Sequence, residues 1–189
     1  ELILKKILLL QPYFEDFYAT KIRLFPTGLL YLAENLQKKF PALQITLLDC
    51  ASSEEFTIPL PAKFQYLKAF YFPEDKNPFR LYGNFKHFGT KFETLKEYLQ
   101  LNPFDVYAIS SNFTAYSSYT CEIARLIKLI YPKSLVVAGG NNCSIEGEKM
   151  VESGAFDFAI QGEGEFTFPE LLKSLMNKGS FLNISGLIY

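Results

Sequence analysis

Short apolar runs alternate along this chain with stripes at helical spacing. Residues 4–10 form the first run, broken only by Lys5 and Lys6 and stopped by Gln11-Pro12. Further runs cover 44–48, 106–109, 134–138 and 156–160. Consecutive apolar positions over such lengths suit strands buried on both faces. Between the runs, Leu29, Leu30, Leu32, Ala33, Leu36 and Phe40 follow Pro26-Thr27-Gly28 and predict a helix over 29–40. Leu95 and Leu99 mark a helix over 92–101. Ile123, Ala124, Ile127 and Ile130 mark one ending near Tyr131, with Thr114 and Ser117 as candidate caps. Helices over 145–152 and 166–176 and a short strand over 186–189 complete the pattern. Strands alternating with helices predict an α/β, doubly wound, flavodoxin-like or Rossmann-like fold. The sheet is expected to be mostly parallel and five-stranded, in the order 2-1-3-4-5.

One stretch breaks the alternation. Residues 51–91 carry Phe56, Phe64, Tyr66, Phe70, Tyr71, Phe72, Phe79, Tyr82, Phe85 and Phe88, punctuated by Pro59, Pro61, Pro73 and Pro78. So many aromatics argue against disorder. This reads as an insertion after the second strand, either a lid or docking surface or a satellite core. The only histidine, His87, lies in it beside lysines and reads as solvated. The loop 11–25 is longer than a structural connection needs. Its aromatics either tuck into the core or wall a pocket.

Composition narrows the picture. The 189 residues suit one domain, and 49% of them are hydrophobic, so a sizeable core is available. A formal net charge of −1 gives no electrostatic footprint for nucleic acid. No apolar run approaches membrane-spanning length, and residues 2–10 lack a signal-peptide cleavage pattern. Cys50, Cys121 and Cys143 are widely separated and odd in number, which favours reduced thiols and a cytoplasmic setting.

In open parallel sheets, ligands lie at the carboxyl ends of strands, near the point where strand order reverses. That places the crevice between the first and third strands. The polar loops there supply Gln11, Pro12, Ser110, Ser111, Asn112, Thr114, Tyr116, Gly139, Gly140, Asn141 and Asn142. Gly162, Glu163 and Gly164 follow the fifth strand. Neither lysine nor arginine is among them, so the edge suits a large, neutral, hydrogen-bonding ligand better than a free phosphate. A glycine pair lets a ligand approach the backbone; it also serves as an ordinary turn, and Gly162-Glu163-Gly164-Glu165 as a helix start. Neither the acids of a phosphoacceptor domain nor a G-x-S-x-G elbow is present.

These residues also carry a resemblance. ILLLQP at 7–12, PTGLLYLAENL at 26–36, FDVYAISSNFTAY at 104–116, IARLIKLIYP at 123–132, VVAGGNN at 136–142 and FDFAIQGEGEFTFPELL at 156–172 occur in order and spacing similar to one family. It is the amino-terminal cobalamin-binding domain of cobalamin-dependent radical S-adenosylmethionine proteins. The resemblance implies that Ser111 and Gly139-Gly140 flank a cleft for the nucleotide tail of cobalamin, with the corrin lying over the strand ends. Phe113 departs from the family's leucine, and Asn142 from a frequent histidine. The Asp-x-His-x-x-Gly motif is absent. Cobalamin held without a protein histidine on cobalt is therefore implied, with loop aromatics or water near its lower face.

The CxxxCxxC of an iron–sulfur cluster is not in this sequence. The resemblance implies a radical domain after residue 189, using S-adenosylmethionine and a [4Fe-4S] cluster. In the full-length protein that domain would perform methyl transfer or related chemistry which residues 1–189 do not perform alone. Two alternatives stand beside this. One is a degenerate domain of the same fold, kept as an interaction scaffold. The other is a nucleotide-binding enzyme using Asp49 on a ribose.

Overall fold

The computed structural model describes residues 4–18, 25–69 and 84–189. The expected aromatics Phe70, Tyr71, Phe72, Phe79 and Tyr82 lie outside the described residues, as do positions 19–24 of the long loop. The main sheet holds β1 (Lys6–Gln11), β3 (Gln44–Asp49), β6 (Val106–Ser110), β7 (Leu135–Gly139), β8 (Phe158–Ile160) and β9 (Leu187–Ile188). Their order across the sheet is β3-β1-β6-β7-β8-β9. All neighbours are parallel except β8 and β9. The sheet thus has six strands, not the expected five, because the short last segment folds back antiparallel onto β8. Counted within this sheet alone, the order reads 2-1-3-4-5-6.

Alternation along the central strands builds two apolar layers. Leu8 and Leu10 of β1, Tyr107 and Ile109 of β6 and Val136 and Ala138 of β7 face one layer. It is closed by α2 (Phe92–Leu101), α3 (Ser117–Ile130) and α4 (Cys143–Glu152). Ile7 and Leu9, Val106 and Ala108, and Val137 face the other, closed by α1 (Thr27–Lys39) and α5 (Gly164–Asn177). Both faces are apolar because both are covered, so these strands show no apolar–polar alternation. Asp105 ties the start of β6 to β1, its Oδ2 accepting the backbone N–H groups of Lys5 and Lys6 at 2.7 and 2.9 Å. Asp157 does the same for β7 by accepting Val136 N–H at 2.7 Å, and it is also paired with Lys128.

The insertion is woven into the rest of the molecule. Residues β2 (Phe14–Asp16), β4 (Glu55–Thr57) and β5 (Lys86–Phe88) form a second, antiparallel sheet in the order β2-β5-β4. The long loop after β1 therefore contains a strand, and that strand pairs with the insertion. Phe14 stacks on Phe88 with ring centroids 4.8 Å apart, and the two enclose Ala51 in a small core. A 3-10 turn over Ala62–Ala69 follows β4.

His87 is buried at 5% exposure, not solvated as its lysine neighbours suggested. Pairing in β5 turns it inward, between the rings of Tyr13 and Phe56, each 4.9 Å away. Its Nε2 lies 3.2 Å from the Thr90 carbonyl and its Nδ1 3.1 Å from Glu15 Oε1. Tyr13 donates to Glu122, Tyr119 to Glu15 and Tyr116 to Asp16. Burial, and then these carboxylates, push all three phenols well above the usual range, so they remain donors. No helix among the described residues is long and apolar enough to cross a membrane.

Candidate functional site

The strands of the main sheet end at one level. Gln11 pairs with Asp49, Leu10 with Ile109, Ser110 with Gly139, and Gly139 with Ile160. Just beyond this level a cavity of about 310 Å3 opens on the α1/α5 side. Its floor is Ala108, Ile109, Val137, Ala138, Ile160 and Phe168, with Leu29 and Leu32 of α1 facing them. Its rim is Gln11, Ser110, Asn112, Gly139, Gly140, Asn141, Gly162, Glu163, Gly164 and Glu165, closed by Phe25–Gly28 at the start of α1. The helix starts of α1 and α5 thus flank the opening and turn their positive dipole ends toward it.

Glycines strip the walls. A Cβ built on Gly28, Gly139, Gly162 or Gly164 meets nothing within 4 Å, so side chains there would enter open space. Gly140 differs from its neighbour. Its φ is +111°, and a Cβ would lie 2.6 Å from Asn112 Oδ1 and 2.7 Å from the Ser111 carbonyl oxygen. Gly139 therefore keeps the cavity open, whereas Gly140 lets two loops touch.

Nine of the fourteen residues expected at the site line this cavity: Gln11, Ser110, Asn112, Gly139, Gly140, Asn141, Gly162, Glu163 and Gly164. The crevice expected between the first and third strands is only a small hollow of about 30 Å3, lined by Gln11, Pro12, Ser110, Asn112 and Tyr116 among others. The larger space extends over β6, β7 and β8 instead, because Tyr13 and Phe14 fill the region beside β1 with rings.

Ser111 and Asn142, both buried, form a clamp behind the rim, with the exposed Thr114 hydroxyl closing it from outside. Asn142 is 1% exposed, and its Nδ2 donates to Ser111 Oγ at 3.0 Å and to Glu146 at 3.3 Å. Its Oδ1 accepts from Thr114 Oγ1 at 2.7 Å. Thr114 thus spends its hydroxyl on Asn142 and makes no cap, and Ser117 makes none either. Backbone bonds Ser111 N–H to Gly139 O and Asn142 N–H to Ser111 O lock the same two loops. Asn142→Ala leaves the buried Ser111 hydroxyl short of its donor, while exposed Thr114 turns to water, and should cost roughly 1–2 kcal/mol. Urea unfolding measures this, and a loss under about 0.5 kcal/mol would mean the clamp contributes little.

The sequence reading missed Thr27, Gly28, Leu29, Leu32, Ala108, Val137, Ile160, Glu165 and Phe168. The usable signal was the Pro-Thr-Gly helix start, since a helix after the first strand of an open sheet begins at the carboxyl edge. Among the described residues no group of three His, Cys, Asp or Glu could hold a metal. Burial pushes the Cys50 and Cys143 thiols up to about 12, which makes them poor nucleophiles. Asp49 lies outside the cavity lining and accepts the Ala51 N–H at 2.9 Å, which leaves the ribose reading without support.

A parallel α/β sheet with a glycine-walled, apolar cleft at its strand ends defines a cofactor-binding module of the open-sheet class. Residues 83–172 match the model of the B12 binding domain family, and this part of the chain resembles a B12-binding domain. A hopanoid C-3 methylase of Methylococcus capsulatus is 27% identical over 86 residues, covering 44% of this chain and 17% of that protein. The radical S-adenosylmethionine methyltransferase TsrM of Kitasatospora setae, solved with cobalamin and a [4Fe-4S] cluster bound, superposes with a TM-score of 0.61 at 16% identity. The match covers 98% of this chain and 27% of TsrM. The cobalamin-dependent S-adenosylmethionine radical enzyme OxsB, solved with aqua-cobalamin and S-adenosylmethionine, gives 0.59 at 16% identity, covering 98% of this chain and 21% of OxsB. At such identities these structures establish the shared fold, and the chain spans at most about a quarter of their length.

Proposed function

We propose that this chain binds cobalamin, with the nucleotide tail in the cleft between α1, α5 and the ends of β6, β7 and β8. The corrin would rest over the rim formed by Pro12, Asn112, Tyr116 and Asn141. Ser111, Thr114 and Asn142 would act from behind, holding the loops that present Ser110, Asn112 and Gly139-Gly140. Glu163 and the turn Gly162–Gly164 would close the α5 side. The carrying observation is a cavity of about 310 Å3 whose lining includes four glycines at which a Cβ would meet only open space. Small-molecule pockets run roughly 300–1,000 Å3, so this one suits part of a large cofactor, not the whole. The one histidine, His87, is buried in the small sheet and is not part of this lining.

In this reading residues 1–189 are a cofactor module, with 51–91 as its insertion. A radical domain using S-adenosylmethionine and a [4Fe-4S] cluster would follow, giving methyl transfer or related radical chemistry on a substrate handled elsewhere. The support is the family match over 83–172 and the named activities of the relatives. A base inside the cleft is off cobalt. Mixing the chain with aquacobalamin should therefore give a retained, coloured complex with a base-off absorption spectrum. Aquacobalamin that passes through a desalting column unretained would refute the reading.

A further inference from the structure

We infer that the cleft selects corrinoids by their lower base, accepting a benzimidazole and disfavouring a purine. The inference rests on the reading above that the tail enters this cavity. The deep walls are mostly apolar and the polar side chains gather toward the rim. Leu29, Ala108, Val137, Ile160 and Phe168 are all buried and offer no side-chain donor or acceptor. The polar side chains of Asn112, Asn141 and Glu163 are exposed at the rim. The exceptions are Gln11, a buried amide at the β1 corner where the cavity meets the neighbouring hollow, and the half-buried Ser110 hydroxyl at the end of β6.

A 5,6-dimethylbenzimidazole presents an apolar edge with two methyl groups to such a floor and gains from leaving water. An adenine presents an exocyclic amine and further ring nitrogens. Buried against aliphatic walls, these lose their water without replacement, which costs about ten- to a hundredfold in affinity. Ribose hydroxyls, by contrast, remain at the level of the rim amides and of Glu163, where acceptors are available. The floor therefore reads the base, and the rim tolerates what joins it to the corrin.

Equilibrium titration of the 189-residue chain with three aqua-corrinoids tests this. They are aquacobalamin, its analogue with adenine as lower base, and cobinamide, which lacks the nucleotide. Each affinity is corrected for the cost of detaching the base from cobalt, read from acid titration of the free corrinoid. The expected result is cobalamin tighter than the adenine analogue by about tenfold or more, with cobinamide weaker than cobalamin. Equal corrected affinity for the two bases, with cobinamide still weaker, overturns base selection while leaving tail binding intact. Cobinamide as tight as cobalamin removes the tail from the cleft and defeats both. Failure of all three to bind defeats the cobalamin reading itself.

Discussion

Gly139→Leu should weaken corrinoid uptake about a hundredfold while leaving the fold standing. The residue ends β7 at the cavity, where a Cβ meets nothing within 4 Å, so the leucine side chain has room in the protein and takes it from the ligand. Loss of a buried tail should lower affinity for aquacobalamin on the order of a hundredfold, equivalent to roughly 2.8 kcal/mol. Stability should stay within about 1 kcal/mol of the parent, because no buried contact is broken. The neighbouring Gly140 cannot serve the same purpose. Its positive φ and its contact with Asn112 and Ser111 mean that any side chain moves the loop. Binding lost in a Gly140 variant would report loop distortion. If Gly139→Leu takes up aquacobalamin as well as the parent does, the tail does not use this cavity.

The largest effect on stability is expected at a residue far from any ligand. Gly89 follows β5 with φ +117°, and a Cβ there would lie 1.9 Å from the Cys50 carbonyl oxygen. Backbone cannot yield as a side chain can. The same turn carries Gly89 N–H to Glu54 O and Thr90 N–H to Cys50 O, both at 2.7 Å, so the clash strikes the joint between β3, β4 and β5. Gly89→Ala should cost roughly 3–5 kcal/mol from backbone strain and overpacking together. In a chain of this size that lowers Tm by roughly 10 °C. A thermal melt of Gly89→Ala within about 2 °C of the parent would show that the joint yields easily.

These two positions mark what was legible in the sequence. The apolar runs and helical stripes located the main strands and helices because each is a local pattern set by burial. The polar ends of the runs located Ser110, Gly139 and Gly162 because strand ends in open sheets collect loops. The open face could not be read. Ala108 and Ile109, or Val137 and Ala138, are equally apolar neighbours pointing to opposite layers, and only the placement of α1 and α5 decides which layer holds the cavity. Ser111 and Asn142 looked like ligand contacts because buried polar pairs and exposed ones have the same letters. Their hydrogen bond spans 31 residues, and nothing local announces it. His87 fails for the same reason. Its partner Glu15 lies 72 residues away across a pairing of the small sheet. A lysine neighbour said less about its environment than the strand opposite did.

The shared small sheet bears on any attempt to shorten the molecule. Because β2 belongs to the loop beside the cleft and β5 to the aromatic stretch, the two cannot be separated at a chain boundary. Excising 52–88 to obtain a minimal carrier would uncover the face of Phe14 that Phe88 covers and strip Tyr13 of the imidazole stacked on it. A trimmed version would need Tyr13 and Phe14 resurfaced at the same time, since what looks like an ornament on the sequence is half of the floor beneath its own first loop.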